Sequence, residues 1–308
     1  MAQLENRIEN ALNETRILLL GSQIFVGFLL RAYFEPGFSR MSYHGNIALS
    51  VATVLITACI GLLVWPAAFH QIACHGEETA SIATFSSTVL DWVLLPVAVA
   101  FGLSLYAVAV DIDAPHPSAY GIVAVIVALA AWYLLALARH DPARRDKVRR
   151  DTHEQEEANK RSGKTELPKR IKNVLTECRM ALPGAQALLG FQFIDVFFDS
   201  FEKLPRTLQW VHFGTLLCTM TSTILLIAPA AYHRIAESGE DTEHFLKVAS
   251  RMLLVALVFL APGMTGDLVL VVERVWHTTM PGIILSVGLL VIFYALWFGY
   301  SEWAKDRR

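Results

Sequence analysis

Long apolar runs separated by short polar breaks make up most of this chain. Four lie in its first half, at roughly 17–34, 47–68, 85–110 and 119–138. Four more lie in the second half, at roughly 180–198, 210–231, 249–273 and 281–300. Each is about 18 residues or longer, enough to cross a hydrocarbon core of about 30 Å. Backbone groups in lipid need partners inside their own segment, so the runs predict helices and the chain an all-α, polytopic membrane protein of eight spans. Pro36 with Gly37, Pro115 with Pro117, Pro205 and Pro281 mark turns between them.

The pattern is written twice. "WPAAFHQI" ends at Ile72 and "APAAYHRI" ends at Ile235, an offset of 163 residues. At that offset Arg7–Ile72 aligns with Arg170–Ile235 without a gap, and 20 of 66 positions are identical. The identities include Arg7/Arg170, Asn10/Asn173, Glu14/Glu177, Arg16/Arg179, Gly21/Gly184, Gln23/Gln186, Gly27/Gly190, Pro66/Pro229 and His70/His233. Lipid selects leucines everywhere, but it does not select matching charges at one offset. The chain therefore reads as a tandem repeat. Residues 1–138 form the first four-helix unit, 139–169 a polar linker and 170–308 the second unit.

Charge orients the units. The stretch 139–172 carries twelve Lys and Arg, and Lys305, Arg307 and Arg308 close the chain. The expected outer loops hold only Arg40, Lys203, Arg206 and Arg274. The positive-inside rule places both termini and the linker in the cytoplasm, at a bacterial plasma membrane. Four spans per unit is an even number, so both units face the same way. That predicts a parallel repeat about a pseudo-two-fold along the membrane normal. Composition agrees: 18% of residues are charged, against about 25% in an ordinary soluble domain. No cleavable leader is expected, because Glu5, Glu9 and Glu14 precede the first apolar run. The four cysteines form no close pair and are expected as free thiols.

Two sets of polar residues stand out. At the inner edge, the helix breaker Pro66 or Pro229 precedes His70 or His233 by one turn. The first span of each unit starts at the same depth with Glu14 and Arg16, or Glu177 and Arg179. Arg234 and Arg251 join the second set. Glu177 is expected to pair with Arg179, Arg234 or Arg251, and both histidines to turn toward an inner mouth, with Glu14 beside His70. Within the membrane lie Gln23, Gln186, Arg31, Asp91, Asp195 and Asp267. Arg31 and Asp195 occupy nearly equivalent depths and are expected to face each other. Ionisable groups inside spans are costly, so they mark functional positions or well-paired clasps.

Several chemistries lack their signatures. "HQIACH" (70–75) has metal-ligand types, but the second unit writes "HRIAES" there, so no metal is expected. Two interfacial histidines beside arginine do not make a haem site. No phosphate-binding loop, nucleophile elbow or H-E-x-x-H helix is present, so no enzyme and no cofactor is expected.

The stretches "NVLTECRMALPGAQALLGFQF" (173–193), "APAAYHRI" (228–235) and "VASRMLLVALVFLAPGMTGDLVLV" (248–271) resemble a bacterial family of uncharacterised four-span membrane proteins. The first unit departs from this pattern at Gln71 and Thr88. The resemblance implies a doubled four-span unit and brings no activity. The leading expectation is a channel or transporter-like pathway for ions or small solutes, in contact with lipid and with further copies of the chain, and with no nucleic acid. The alternative is a structural or regulatory membrane module whose charged clusters are clasps.

Overall fold

The computed structural model describes residues 2–77, 79–134, 166–235, 237 and 241–307. They are helical, and no strand occurs among the described residues. The expected linker lies outside them up to residue 165. In the first half, α1 (Ala2–Ala32), α2 (Tyr43–Ala73), α3 (Ala80–Asp111) and α4 (Pro117–Leu129, extended by a wide turn over Ala130–Leu134) run up and down. The second half has α5 (Leu167–Asp195), the single turn α6 (Asp199–Glu202) and α7 (Arg206–Ile235). It continues with α8 (Glu243–Thr265), α9 (Leu268–Trp276), α10 (Met280–Tyr294) and the terminal turn α11 (Ser301–Lys305), α10 and α11 being joined by a wide turn over Ala295–Tyr300.

Six helical stretches are long and apolar enough to cross a membrane: 14–32, 43–73, 84–111, 206–233, 243–276 and 280–305. The expected fourth span is the shorter apolar helix Pro117–Trp132. The expected fifth, α5, falls below that apolar standard because Gln186, Gln192 and Asp195 interrupt it. The outward surface is oily. Trp92, Leu95 and Val108 of α3, Ile122, Val123 and Ile126 of α4, and Ile284, Val287 and Val291 of α10 are all exposed. Such a surface suits lipid and not water, and the protein is membrane-embedded.

Neither of the repeated prolines ends its helix. Pro66 lies inside α2 and Pro229 inside α7, and both helices continue to their histidine and beyond. α2 ends in a turn where His75 and Gly76 take left-handed backbone angles and Gly76 N–H reaches the His70 carbonyl at 3.0 Å. α8 does break, after Thr265, where Pro262, Gly263 and Gly266 weaken it. Asp267 stands immediately before α9.

The halves meet along α1 and α5. A Cβ on Gly184 would collide with the Gln23 side chain, and one on Gly27 with the Phe191 ring. The Phe28 and Phe191 rings lie 4.8 Å apart. The numbers in these pairs differ by 161, 164 and 163. A constant difference means that the two helices run parallel and in the register of the repeat; antiparallel helices would give a constant sum. Glycine permits the close approach, as at other helix crossings in lipid.

The rest of the interface is not balanced. α2 is the central helix, buried along most of its length. It packs on α1 and α3 and also on α8, α9, α10 and α11 of the other half. Phe293 lies on Gly61, and Trp297 Nε1 donates to the Gly61 carbonyl at 2.8 Å. One apolar core runs through both halves, from Leu19 and Ile56 to Leu257 and Trp297.

Candidate functional site

Polar side chains gather at both ends of the bundle. The first cluster lies where α1 and α5 begin and α2 ends. Glu177 and His70 are fully buried. One Glu177 carboxylate oxygen contacts His70 Nδ1, and the other accepts from the Gln71 amide. His70 Nε2 lies 3.2 Å from the Glu77 backbone carbonyl. A carbonyl can only accept, so Nε2 carries a proton there. Nearby, Arg170 donates to the His75 carbonyl at 2.8 Å and lies 3.7 Å from Glu243.

The partners observed for Glu177 differ from the expected Arg179 and Arg251. Among the described residues they are His70 and Gln71 of the other half, not arginines of its own. Arg179 is exposed while Glu177 is buried, because residues two apart on a helix do not share a face. Arg251 is exposed too. The Arg234 side chain lies outside the described residues. Glu14 and Arg16 are exposed, although Glu14 is the repeat counterpart of Glu177. His70 therefore does not turn to a mouth beside Glu14. His233 is half-buried, with Nε2 3.5 Å from Asp241.

The second cluster lies at the opposite end, in the second half of the chain. Asp267 accepts from the Thr215 hydroxyl at 2.7 Å and lies 3.0 Å from His212 Nδ1, both at Oδ1. Its Oδ2 accepts from the Gln192 amide at 2.7 Å. The same amide nitrogen reaches the Gly263 carbonyl at 2.8 Å, and His212 Nε2 the Gln192 carbonyl at 2.8 Å. Asp195 lies one helical turn beyond Gln192 on α5. Gln192, His212, Thr215, Asp195 and Asp267 are all buried. Two acceptors in the cluster, Gln192 Oε1 and Asp195 Oδ1, have no hydrogen-bond donor among the described residues.

Local structure explains the assembly. Gln192 and Asp195 are three apart on α5, and His212 and Thr215 are three apart on α7, so each pair shares a helix face. The helix break before Asp267 brings its carboxylate against α7. Gly263 and Gly266 let α7 come close: a Cβ on either would clash with Thr219 or Thr215.

The remaining expected positions scatter. Gln23 is buried against Gly184 with neither amide atom hydrogen-bonded, while its counterpart Gln186 is exposed. Arg31 pairs with Glu35 at 3.0 Å and lies over the Phe198 ring at 5.5 Å, rather than pairing with Asp195. Glu35 wins because it is only four residues along the chain, in the turn just past the end of α1. Asp91 is exposed. Sequence reasoning named Asp195 and Asp267 but missed Gln71, Gln192, His212 and Thr215. The signal for the last three was polar residues three apart inside apolar runs.

A family model matches the chain twice, over residues 2–138 and 160–301. The chain belongs to that family, described as Family of unknown function (DUF6328). The two matches accord with a tandem duplication, each half of the chain carrying one. No curated protein and no solved structure matches it. Among the described residues no group of three or more His, Cys, Asp or Glu is placed to hold a metal ion.

Proposed function

We propose that this DUF6328 protein is a non-enzymatic membrane protein that provides a pathway for ions or small solutes. In this reading it has eight spans, arranged as two parallel four-span repeats about a pseudo-two-fold along the membrane normal. Both termini are cytoplasmic, at a bacterial plasma membrane. The observation that carries the pathway reading is the second cluster. An acid, an imidazole and an amide are buried together with a second acid whose Oδ1 has no donor. Ionisable groups buried in a membrane protein are expensive, and they mark ion paths and relays more often than packing. The first half supports this by contrast. Positions equivalent to Gln192, Asp195, His212 and Thr215 are Leu29, Ala32, Leu49 and Ala52. The repeat can thus be built there without such a cluster.

Flux through reconstituted vesicles is the test. Asp267→Asn should lower it strongly while the protein still inserts, and Asp91→Asn should leave it unchanged. Absence of flux for protons, alkali cations, halides and small neutral solutes would overturn the reading. One observation favours the alternative of a structural membrane module: Glu177, His70 and Gln71 make a closed link between the halves, within one continuous apolar core.

A further inference from the structure

The second cluster can be read for protons from its heavy atoms alone. His212 Nε2 faces the Gln192 carbonyl at 2.8 Å, so it must carry hydrogen. Nδ1 then lies 3.0 Å from Asp267 Oδ1. A bare imidazole nitrogen and a carboxylate oxygen would repel at that distance, so one proton lies between them. Whether it rests on nitrogen or oxygen, the pair is neutral overall. The Gln192 amide nitrogen is taken up by Asp267 and the Gly263 carbonyl, which turns its Oε1 away from any donor. Asp195, one turn along α5, leaves its Oδ1 in the same condition.

Two buried acceptors without donors, side by side on one helix face, are unfavourable. A single added hydrogen on Asp195 answers this. It neutralises a carboxyl that is almost fully buried, and it puts an O–H donor on the helix face that carries Gln192 Oε1. The charged and titratable groups facing Asp195 are Asp267, His212, Arg31 and Glu35. Arg31 is already held by Glu35 at 3.0 Å. His212 is held by Asp267. Of the groups that face Asp195, no cation is left without an acid partner of its own.

We propose that this cluster is a proton-binding site, in which Asp195 takes up and releases one exchangeable proton beside the neutral His212–Asp267 pair. The ligand is the proton rather than a metal cation, because the Asp267 oxygens that would coordinate a metal are already taken by donors. The assignment does not depend on flux, and it holds whether the protein is a pathway or a module.

The experiment is infrared difference spectroscopy on the full chain in nanodiscs, between about pH 5 and about pH 9, a range that spans ordinary His titration and lies above ordinary Asp titration. The expected result is one protonated-carboxyl band, lost in Asp195→Asn and kept in Asp91→Asn. Asparagine mimics the protonated acid in shape and supplies a donor to Gln192, so this variant should fold. Gln192→Leu keeps Asp195 but removes its acceptor. It should shift the band to higher frequency without abolishing it, which gives a second readout if Asp195→Asn expresses poorly. A wild-type spectrum without a protonated-carboxyl band would overturn the proposal and would indicate a carboxylate served by water. So would a band that survives Asp195→Asn.

Discussion

The two buried polar clusters sit at opposite ends of the same helix. Glu177 and Asp195 are 18 residues apart on α5, about 27 Å at 1.5 Å per residue. At the Glu177 end the cluster joins the two halves: one half gives the carboxylate, the other the imidazole and amide. At the Asp195 end every member comes from the second half. The first cluster closes on itself, with both carboxylate oxygens and both imidazole nitrogens in contact with polar partners. The second leaves two acceptors open. A satisfied buried ion cluster is a fastener, whereas an unsatisfied one stores a demand for a ligand. The same residue types therefore serve different ends, and hydrogen-bond completeness tells them apart where residue identity does not.

The fastener should give the largest effect. Glu177→Ala strands a buried imidazole and a buried amide on the facing helix. It should cost about 3–5 kcal/mol, as when one partner of a desolvated pair is removed, read by unfolding in mixed micelles. Glu177→Gln, which can still bond one neighbour, should cost less. Equal losses for the two variants would mean that the contact adds only packing.

The second cluster should behave differently under single and combined substitution. Asp267→Ala leaves His212, Thr215 and Gln192 without their common acceptor and should cost about 2–3 kcal/mol. Replacing the set with apolar residues, three of them those of the first half, is another matter. Gln192→Leu, His212→Leu, Thr215→Ala and Asp267→Ala together remove donors and acceptors at once. Stability should return to within about 1 kcal/mol of the parent, while any flux is lost and the Asp195 infrared band stays, at higher frequency. A combined variant less stable than Asp267→Ala would mean that the cluster is structural, and would erase the contrast with Glu177.

A third substitution probes the unbalanced side of the interface. Gly61 holds the Phe293 ring, which stacks on Trp297 with an interplanar angle of 8°. Both aromatics are buried, so they have little room to yield. Gly61→Ala should cost about 1–3 kcal/mol by overpacking. The repeat counterpart of Gly61 is Ile224, whose side chain is exposed, so changing Ile224 to Ala should cost far less.

How much of this was legible in the sequence follows from what each feature depends on. The helices were legible, because lipid forces apolar runs to satisfy their own backbone. The parallel pairing of the first helices was implied by the even number of runs per repeat, and the contacts of Gly184 and Gly27 agree with it. The importance of Glu177 and His70 could be read as well, since both are charged or titratable at a helix edge. Their pairing could not. Alignment at the repeat offset puts Glu177 with His233 of its own half, whereas in three dimensions it takes His70 of the other. Gln71, beside His70, adds a second donor to Glu177 there. His212 went unnoticed because the first half has Leu49 there, so comparing the repeats by identity passed over it.

The smallest effects should separate true two-fold packing from its approximation. Gly21 and Gly184 are repeat counterparts, and so are Gly27 and Gly190. In each pair one glycine is packed and the other open. Gly184 faces Gln23 and Gly27 faces Phe191, while no atom of another part of the chain lies within 4 Å of where a Cβ would stand on Gly21 or Gly190. An alanine on an open helical site lowers the entropy lost on folding, and should stabilise by about 0.5–1 kcal/mol. Gly21→Ala and Gly190→Ala should therefore be neutral to slightly stabilising. Gly27→Ala should destabilise, since the whole Phe191 ring must move. Gly184→Ala should destabilise less, because only the tip of the Gln23 side chain has to swing aside. An interface with strict two-fold symmetry would treat both members of each pair alike. Opposite signs within a pair would show that α1 and α5 pack off the axis, with one glycine of each pair serving the contact.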